Sequence, residues 1–344
     1  PWAVKVVAGI RIGLIGLTTP GLPFWLSPKQ LGGVIPLDPV EVLKKSVAAL
    51  KAEKVNAIVV MGHMGWRAGD DFANPVHNLL ETVEGVDVYL AGHTHQDQPS
   101  WMTGKTLCTQ ANYYGIHCGR VDLTFDADTH KLLNRRAFTV LMDGRFELDP
   151  VVMEMSRPDL AISDEHMARK VGTFKEPVTG TGRGNGMVRL FCQAFDGALK
   201  RQGHPVDGIF HGSFSTGDVV AGEKTVADCW DWLPFENELV VGEFSAADLI
   251  KIVAEDRKDA RSDRELWPFE MATGADGSVT NLLRDGKPVA PDARYRIAFN
   301  VFDAQSAGQK LMILRGLMEQ SSTKRTETGV FTRGALIDYL LERI

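Results

Sequence analysis

Apolar positions in the first third of the chain follow two alternating rhythms. Residues 10–17 form a nearly continuous apolar run broken by Gly13 and Gly16, which predicts a buried strand. Asp38-Pro39 then offers an N-cap followed by proline at the first helical position. Leu43, Val47 and Leu50 recur at helical spacing, so a helix of about four turns follows, with Lys51 and Lys54 at its carboxyl end. Residues 57–61 read as a second apolar strand ending at Gly62-His63. Val76, Leu79, Leu80 and Val83 predict a helix between Pro75 and Glu84, and residues 86–90 predict a short strand ending at Gly92-His93. Strands alternating with helices argue for an α/β layer. Ligands of such sheets sit beyond the carboxyl ends of the strands, which is where His63 and His93 fall.

Further strands are predicted near 107–110, 120–125 and 136–141, with Asp126-Ala127-Asp128 as a turn signal. The pattern changes over 149–173, where 159–170 reads as a polar helix bounded by Pro158 and Gly172. A glycine-rich stretch, 180–186, follows. Met187, Leu190, Phe191, Ala194 and Ala198 form the stripe of the next helix, residues 206–210 a strand, and 333–343 a closing helix. We therefore expect a first domain over 1–148, a helical linker over 149–173 and a second domain over 174–344. The length of 344 residues agrees with two domains.

A net charge of −6 with scattered Lys and Arg gives no sign of a nucleic-acid track, and no apolar run reaches the length of a membrane span. Cys108, Cys118, Cys192 and Cys229 form no C-x-x-C pair, which argues against a structural zinc site. A Cys108–Cys118 disulfide stays open. Pro1-Trp2 is no native start and a strand follows closely, so we expect an N-terminally truncated chain, and a missing signal peptide has no weight here.

The strongest chemical signal is Gly92-His93-Thr94-His95. Histidines at i and i+2 on an extended loop can address two metals or two sides of one, and imidazole suits zinc, manganese and similar ions. His63, at the end of the neighbouring strand, makes a third candidate ligand. Three histidines allow a mononuclear hydrolytic site. Phosphoester sites commonly hold two metals bridged by carboxylates, and Asp70, Asp71 and Asp97 read as solvated or supporting groups instead. Other motifs fail. Thr103-Gly104-Lys105-Thr106 lacks the first glycine of a P-loop, and the 180–186 stretch follows no strand. His211-Gly212-Ser213 has no G-x-S-x-G elbow.

Residues 9–19, the Gly62-His63-Met64-Gly65 turn, Gly92-His93-Thr94-His95 and Gln110-Ala111-Asn112-Tyr113-Tyr114-Gly115 resemble the later half of the calcineurin-like metallophosphoesterase domain of 5′-nucleotidases. Leu233-Pro234-Phe235-Glu236-Asn237 and the closing helix resemble their C-terminal substrate domain. The resemblance implies the later part of a metallophosphoesterase α/β sandwich followed by a mixed α/β domain. It implies two divalent metal ions, Mn, Zn or similar, with His63 and His93 on one and His95 on the other. A metal-bound hydroxide would release phosphate from a nucleotide or related phosphomonoester. The remaining ligands and the catalytic histidine would lie upstream of Pro1.

By the same resemblance Phe302 would stack on a base with Trp267 or Phe269 opposite, and Asn300 and Asn112 would complete the substrate contacts. Residues 211–216 match the family's nucleotide segment without its arginine, and 304–309 lacks the family's Gly-Gly-Asp-Gly. The alternatives are a catalytically inactive binding protein, or a hydrolase of cyclic nucleotides, sugar nucleotides or sulfur-linked esters. The family points to a periplasmic or secreted protein, a monomer or weak dimer. Three imidazoles without a bridging carboxylate cannot hold two dications against their repulsion, so this chain alone is expected to bind metal weakly.

Overall fold

A computed structural model describes residues 2–213, 217–275 and 277–343. The chain divides into two compact units: residues 1–23 with 28–149, and residues 24–27 with 150–344.

The elements of the first unit are, in order, β1 (Trp2–Val7), β2 (Ile10–Thr18), a short α1 (Pro28–Leu31), α2 (Pro39–Ala52), β3 (Ala57–His63), α3 (Val76–Thr82), β4 (Val88–Ala91), β5 (Asp97–Thr103), β6 (Thr106–Ala111), β7 (His117–Phe125) and β8 (Leu132–Leu141). Six strands make one sheet in the order β1-β2-β3-β4-β6-β5. The central strands β2, β3, β4 and β6 are parallel, and β1 and β5 pair antiparallel at the two edges. The predicted helix after Asp38 forms as its sequence dictates: the Asp38 carboxylate accepts from the Glu41 amide at 3.0 Å, and Leu43, Val47 and Leu50 are buried. Those side chains share one core with Ile58, Val60, Leu79, Leu80 and Tyr89. β7 and β8 form a separate hairpin packed against β6.

The second unit continues with α4 (Pro150–Ala168), β9 (Lys170–Phe174), α5 (Gly186–Arg201), β10 (Gly208–His211), β11 (Gly222–Thr225), α6 (Val226–Trp232), β12 (Glu238–Ser245), α7 (Ala246–Asp256), β13 (Glu265–Trp267), β14 (Glu270–Thr273), β15 (Val279–Arg284), β16 (Lys287–Pro288), β17 (Arg294–Asn300), α8 (Val301–Ala304), α9 (Met312–Met318), β18 (Thr326–Phe331) and α10 (Thr332–Leu341). Its main sheet runs β13-β10-β17-β12-β18. Successive strand residues point to opposite faces, and the cores divide accordingly. Ile209, Val241 and Ala298 pack with α5, α6 and α10, whereas Phe210, Val240, Ile297 and Phe299 pack with α7, α8 and α9. The unit is a three-layer sandwich with a sheet closed on both sides.

Two expectations change, and the open question of a disulfide closes. The polar helix begins at Pro150 and passes through Pro158, because it is exposed along its length and water can meet the carbonyl that proline leaves without a donor. The segment 149–173 is not simply a linker, since β9 pairs with β11 inside the second unit. Cys108 and Cys118 are free thiols, as are the other two cysteines. The strands β1 and β5 also go unmarked by periodicity, because both are polar or exposed edge strands.

Candidate metal centre

β3 and β4 are parallel neighbours, with Gly62 opposite Ala91, so their carboxyl ends deliver His63 and His93 side by side. The two rings stack with centroids 5.0 Å apart and planes 25° from parallel. Two glycines make this approach possible. A Cβ on Gly62 would overlap the buried Tyr89 ring, whose hydroxyl donates to the Met64 carbonyl at 3.1 Å. A Cβ on Gly65 would overlap the Gly92 carbonyl and the Thr94 hydroxyl, so both histidine loops lie in direct contact there. His93, His95 and Asn112 all take left-handed backbone, at φ 74°, 54° and 61°. Such conformations are uncommon for residues with a side chain and cluster at functional loops.

His93 is oriented by a relay that begins in the loop before α3. Asn74 Nδ2 donates to Asp71 Oδ1 at 2.9 Å, which fixes the amide so that Oδ1 faces His93 Nδ1 at 3.1 Å. An amide oxygen only accepts, so Nδ1 carries the proton and Nε2 bears the lone pair. This arrangement of an outer partner on a ring nitrogen presets a histidine for metal binding. Burial, and then the nearby His63 charge, push the His93 pKa below the ordinary value, which favours the neutral imidazole a metal requires. Burial acts to raise the Asp71 pKa, but the Asn74 side chain, the Ala73 and Asn74 amides and Arg67 outweigh it and hold the carboxylate ionised.

His95 is exposed and stacks on Tyr113 at 5.3 Å, away from the His63–His93 pair's relay. Gln110 is buried and clamps the loop: its Oε1 accepts from the Trp66 amide and the Thr94 hydroxyl, both at 3.0 Å, and its Nε2 donates to the Gln96 carbonyl. Asp70 accepts from the His77 and Asn78 amides at the start of α3. Asp97 lies 3.5 Å from His117 Nε2, and Asn112 Nδ2 lies 3.3 Å from His117 Nδ1. Asn112 thus steadies His117. The residues that sequence reasoning missed are Asn74 and Gln110. The Asp71-Phe72-Ala73-Asn74-Pro75 turn is the local signal for Asn74, since Asp and Asn before proline favour a side-chain-capped turn.

The donor chemistry suits a divalent ion, but the set is incomplete. Among the described residues no three His, Cys, Asp or Glu side chains come together to hold an ion. The structure offers two imidazoles, His63 and His93, as one half-site, with His95 two residues farther along the His93 loop.

In the second unit the expected substrate residues separate. Trp267 packs with the core on the α5 side of the sheet, and Phe302 with the core on the α7 side, so they do not face one another. Phe269 is buried and meets Tyr295 edge-on at 5.0 Å, a packing role. Asn300 is fully buried as the N-cap of α8, accepting from the Asp303 amide at 2.8 Å and donating to the Asp303 carboxylate at 3.1 Å. Asp303 in turn takes a forked pair of bonds from Arg264. Trp267 and Phe302 therefore do not form the expected base clamp, and Asn300 is committed to capping α8, whereas Phe269 and Phe302 lie on the same side of the sheet. Phe214, Ser215 and Thr216, within the expected nucleotide segment, lie outside the described residues. The turn at 233–237 is tied to the start of α10: Arg333 donates to the Leu233 carbonyl, and Glu236 accepts from the Arg333 amide.

A parallel sheet with histidine-bearing loops is thus followed along the chain by a second unit built as a three-layer sandwich. The sequence profile of the calcineurin-like phosphoesterases matches residues 17–97, and that of the 5′-nucleotidase C-terminal domain matches residues 170–315. The chain thus carries a segment similar to the calcineurin-like phosphoesterases followed by one similar to the 5′-nucleotidase C-terminal domain. A 5′-nucleotidase of Vibrio cholerae is 25% identical over 360 residues, covering 88% of this chain and 63% of that protein. Endonuclease YhcR of Bacillus subtilis is 25% identical over 313 residues, covering 88% of this chain and 25% of that protein. The crystal structure of a 5′-nucleotidase precursor from Thermus thermophilus shares the fold, with a TM-score of 0.67 at 23% identity over 100% of this chain and 72% of that one. The chain thus spans less than two thirds of these two sequence relatives. Among the described residues no helix is long and apolar enough to cross a membrane.

Proposed function

We propose that the protein hydrolyses a phosphomonoester, a nucleotide or a related small molecule, at a divalent-metal centre that includes His63, His93 and His95. The observation that carries this reading is the stacked His63–His93 pair, with the His93 tautomer preset by Asn74. His63 and His93 would hold one ion and His95 a second, Mn or Zn. A bound ion would supply Lewis acidity to the phosphoryl oxygens. The chain's own residues do the rest: Asn74 keeps the Nδ1 proton of His93 in place, Gln110 fixes the loop, and Tyr113 sets the plane of the His95 ring. Similarity to 5′-nucleotidases also favours a protein that works in the periplasm or outside the cell, which cell fractionation checks.

A second reading is a binding protein that kept the fold without turnover. The incomplete donor set among the described residues favours it. A panel of phosphoesters assayed with Mn²⁺ or Zn²⁺, with and without chelator, separates the two. The first reading expects metal-dependent turnover that falls at least about 100-fold in the His93→Ala, His95→Ala double variant. Turnover that survives chelation, or full activity in the double variant, would falsify the site assignment. Ligand binding without turnover of any ester would favour the second reading.

A further inference from the structure

At the β13 edge of the second unit's main sheet, the first turn of α5 and the carboxyl end of α7 enclose a cleft of about 480 Å³. Arg183, Arg189, Arg257 and Arg264 line it with Glu265, and Trp267 supplies part of an apolar wall. Two of the four guanidiniums have carboxylate partners. Arg264 makes the forked pair with Asp303 at 2.8 and 2.9 Å, and Arg183 donates to Asp256 at 3.1 Å and to the Arg264 carbonyl at 2.8 Å. The other two form no such bond among the described residues. The Arg257 guanidinium makes no hydrogen bond among the described residues, and its Nε is buried without an acceptor. Arg189 has the Glu265 charge nearby but no hydrogen bond from its guanidinium among the described residues.

A buried donor without an acceptor is destabilising unless something outside the chain completes it. Burial and the neighbouring Arg183 charge both push the Arg257 pKa below its ordinary value, so an incoming anion would relieve both. A guanidinium fork matches the paired oxygens of phosphate and carboxylate alike. We propose that this cleft is an anion site carried wholly by the second unit. It takes a small molecule with a phosphate or carboxylate group on an aromatic or apolar body. The oxyanion engages Arg257 and Arg189, and the body lies along Trp267. None of these residues belongs to the histidine centre.

Isothermal titration of the chain in the presence of EDTA tests this, with phenylphosphonate, benzoate and orthophosphate as probes. The expected result is one saturable site per chain. Binding weakens at least tenfold in Arg257→Gln, falls in between for Arg257→Lys, and is unchanged in His63→Ala. Tighter phenylphosphonate than benzoate identifies a phosphate ligand, and the reverse order a carboxylate. Should Arg257→Gln lose its fold by circular dichroism, Arg189→Gln, on an exposed turn, is expected to weaken binding at least threefold. Absence of saturable binding by all three probes, or unchanged affinity in a folded Arg257→Gln, overturns the proposal.

Discussion

His93 shows how one side chain's role depends on a neighbour that the sequence hides. The approach of His63 to His93 was legible, because each follows a glycine at the carboxyl end of one of two neighbouring strands. Asn74 was not legible, because its contact with His93 exists only after two loops meet across the carboxyl edge of the sheet. Removing the amide leaves the His93 ring free to change tautomer and rotate. Asn74→Ala is expected to lower Mn²⁺ or Zn²⁺ affinity about 10- to 100-fold, as loss of an outer partner typically does. Metal titration of the variant checks this, and affinity equal to that of the parent chain would assign Asn74 a purely structural task. Asn300 makes the opposite point. Family likeness marked it as a substrate contact, but its place before α8 makes it a cap, a role that its position after an apolar strand and three residues before Asp303 could have suggested.

At the scale of elements, β3 and β4 are fixed by the fit of a glycine against a tyrosine. Tyr89 has no exposed surface, so its ring cannot swing away from an added Cβ at Gly62. Gly62→Ala is expected to destabilise the protein by about 1–3 kcal/mol, the range for overpacking a tight core. The same change in a Tyr89→Leu background should cost less than the single substitutions predict together, because the ring is gone. Urea unfolding of the four variants measures that difference, and strict additivity would mean that the two residues do not press on each other. The parallel strands and α3 were readable because their apolar positions obey one period, and α2 and α5 also because their caps are local. The short strands β13 to β16 were not, since a few residues each carry no period and their pairing is set by distant partners.

For the molecule as a whole, acid should weaken the fold through His211. Its ring is fully buried, edge-on to Phe195 at 5.0 Å and Phe191 at 6.0 Å, and burial drives its pKa down to about 4. The unfolded chain takes up that proton near the ordinary value of 6.5, before the folded chain does. The stability associated with the neutral ring is therefore complete above about pH 6.5 and declines as the pH falls toward 4, by on the order of 3 kcal/mol. Melting curves between pH 7 and 4 should flatten in His211→Phe, and an unchanged slope would assign the acid sensitivity elsewhere. The strand that returns at Lys170 left no mark in the sequence pattern, because its partner β11 is distant in the chain. The sheet of the second unit also acts as a partition. Leu199 lies in one of its cores and Leu314 in the other, with a full layer of backbone between them. Leu199→Ala and Leu314→Ala should then combine with a coupling free energy within about 0.5 kcal/mol of zero. Drift on the α9 side can proceed without compensating change on the α5 side, so one layer of the domain is free to diversify while the other stays as it is.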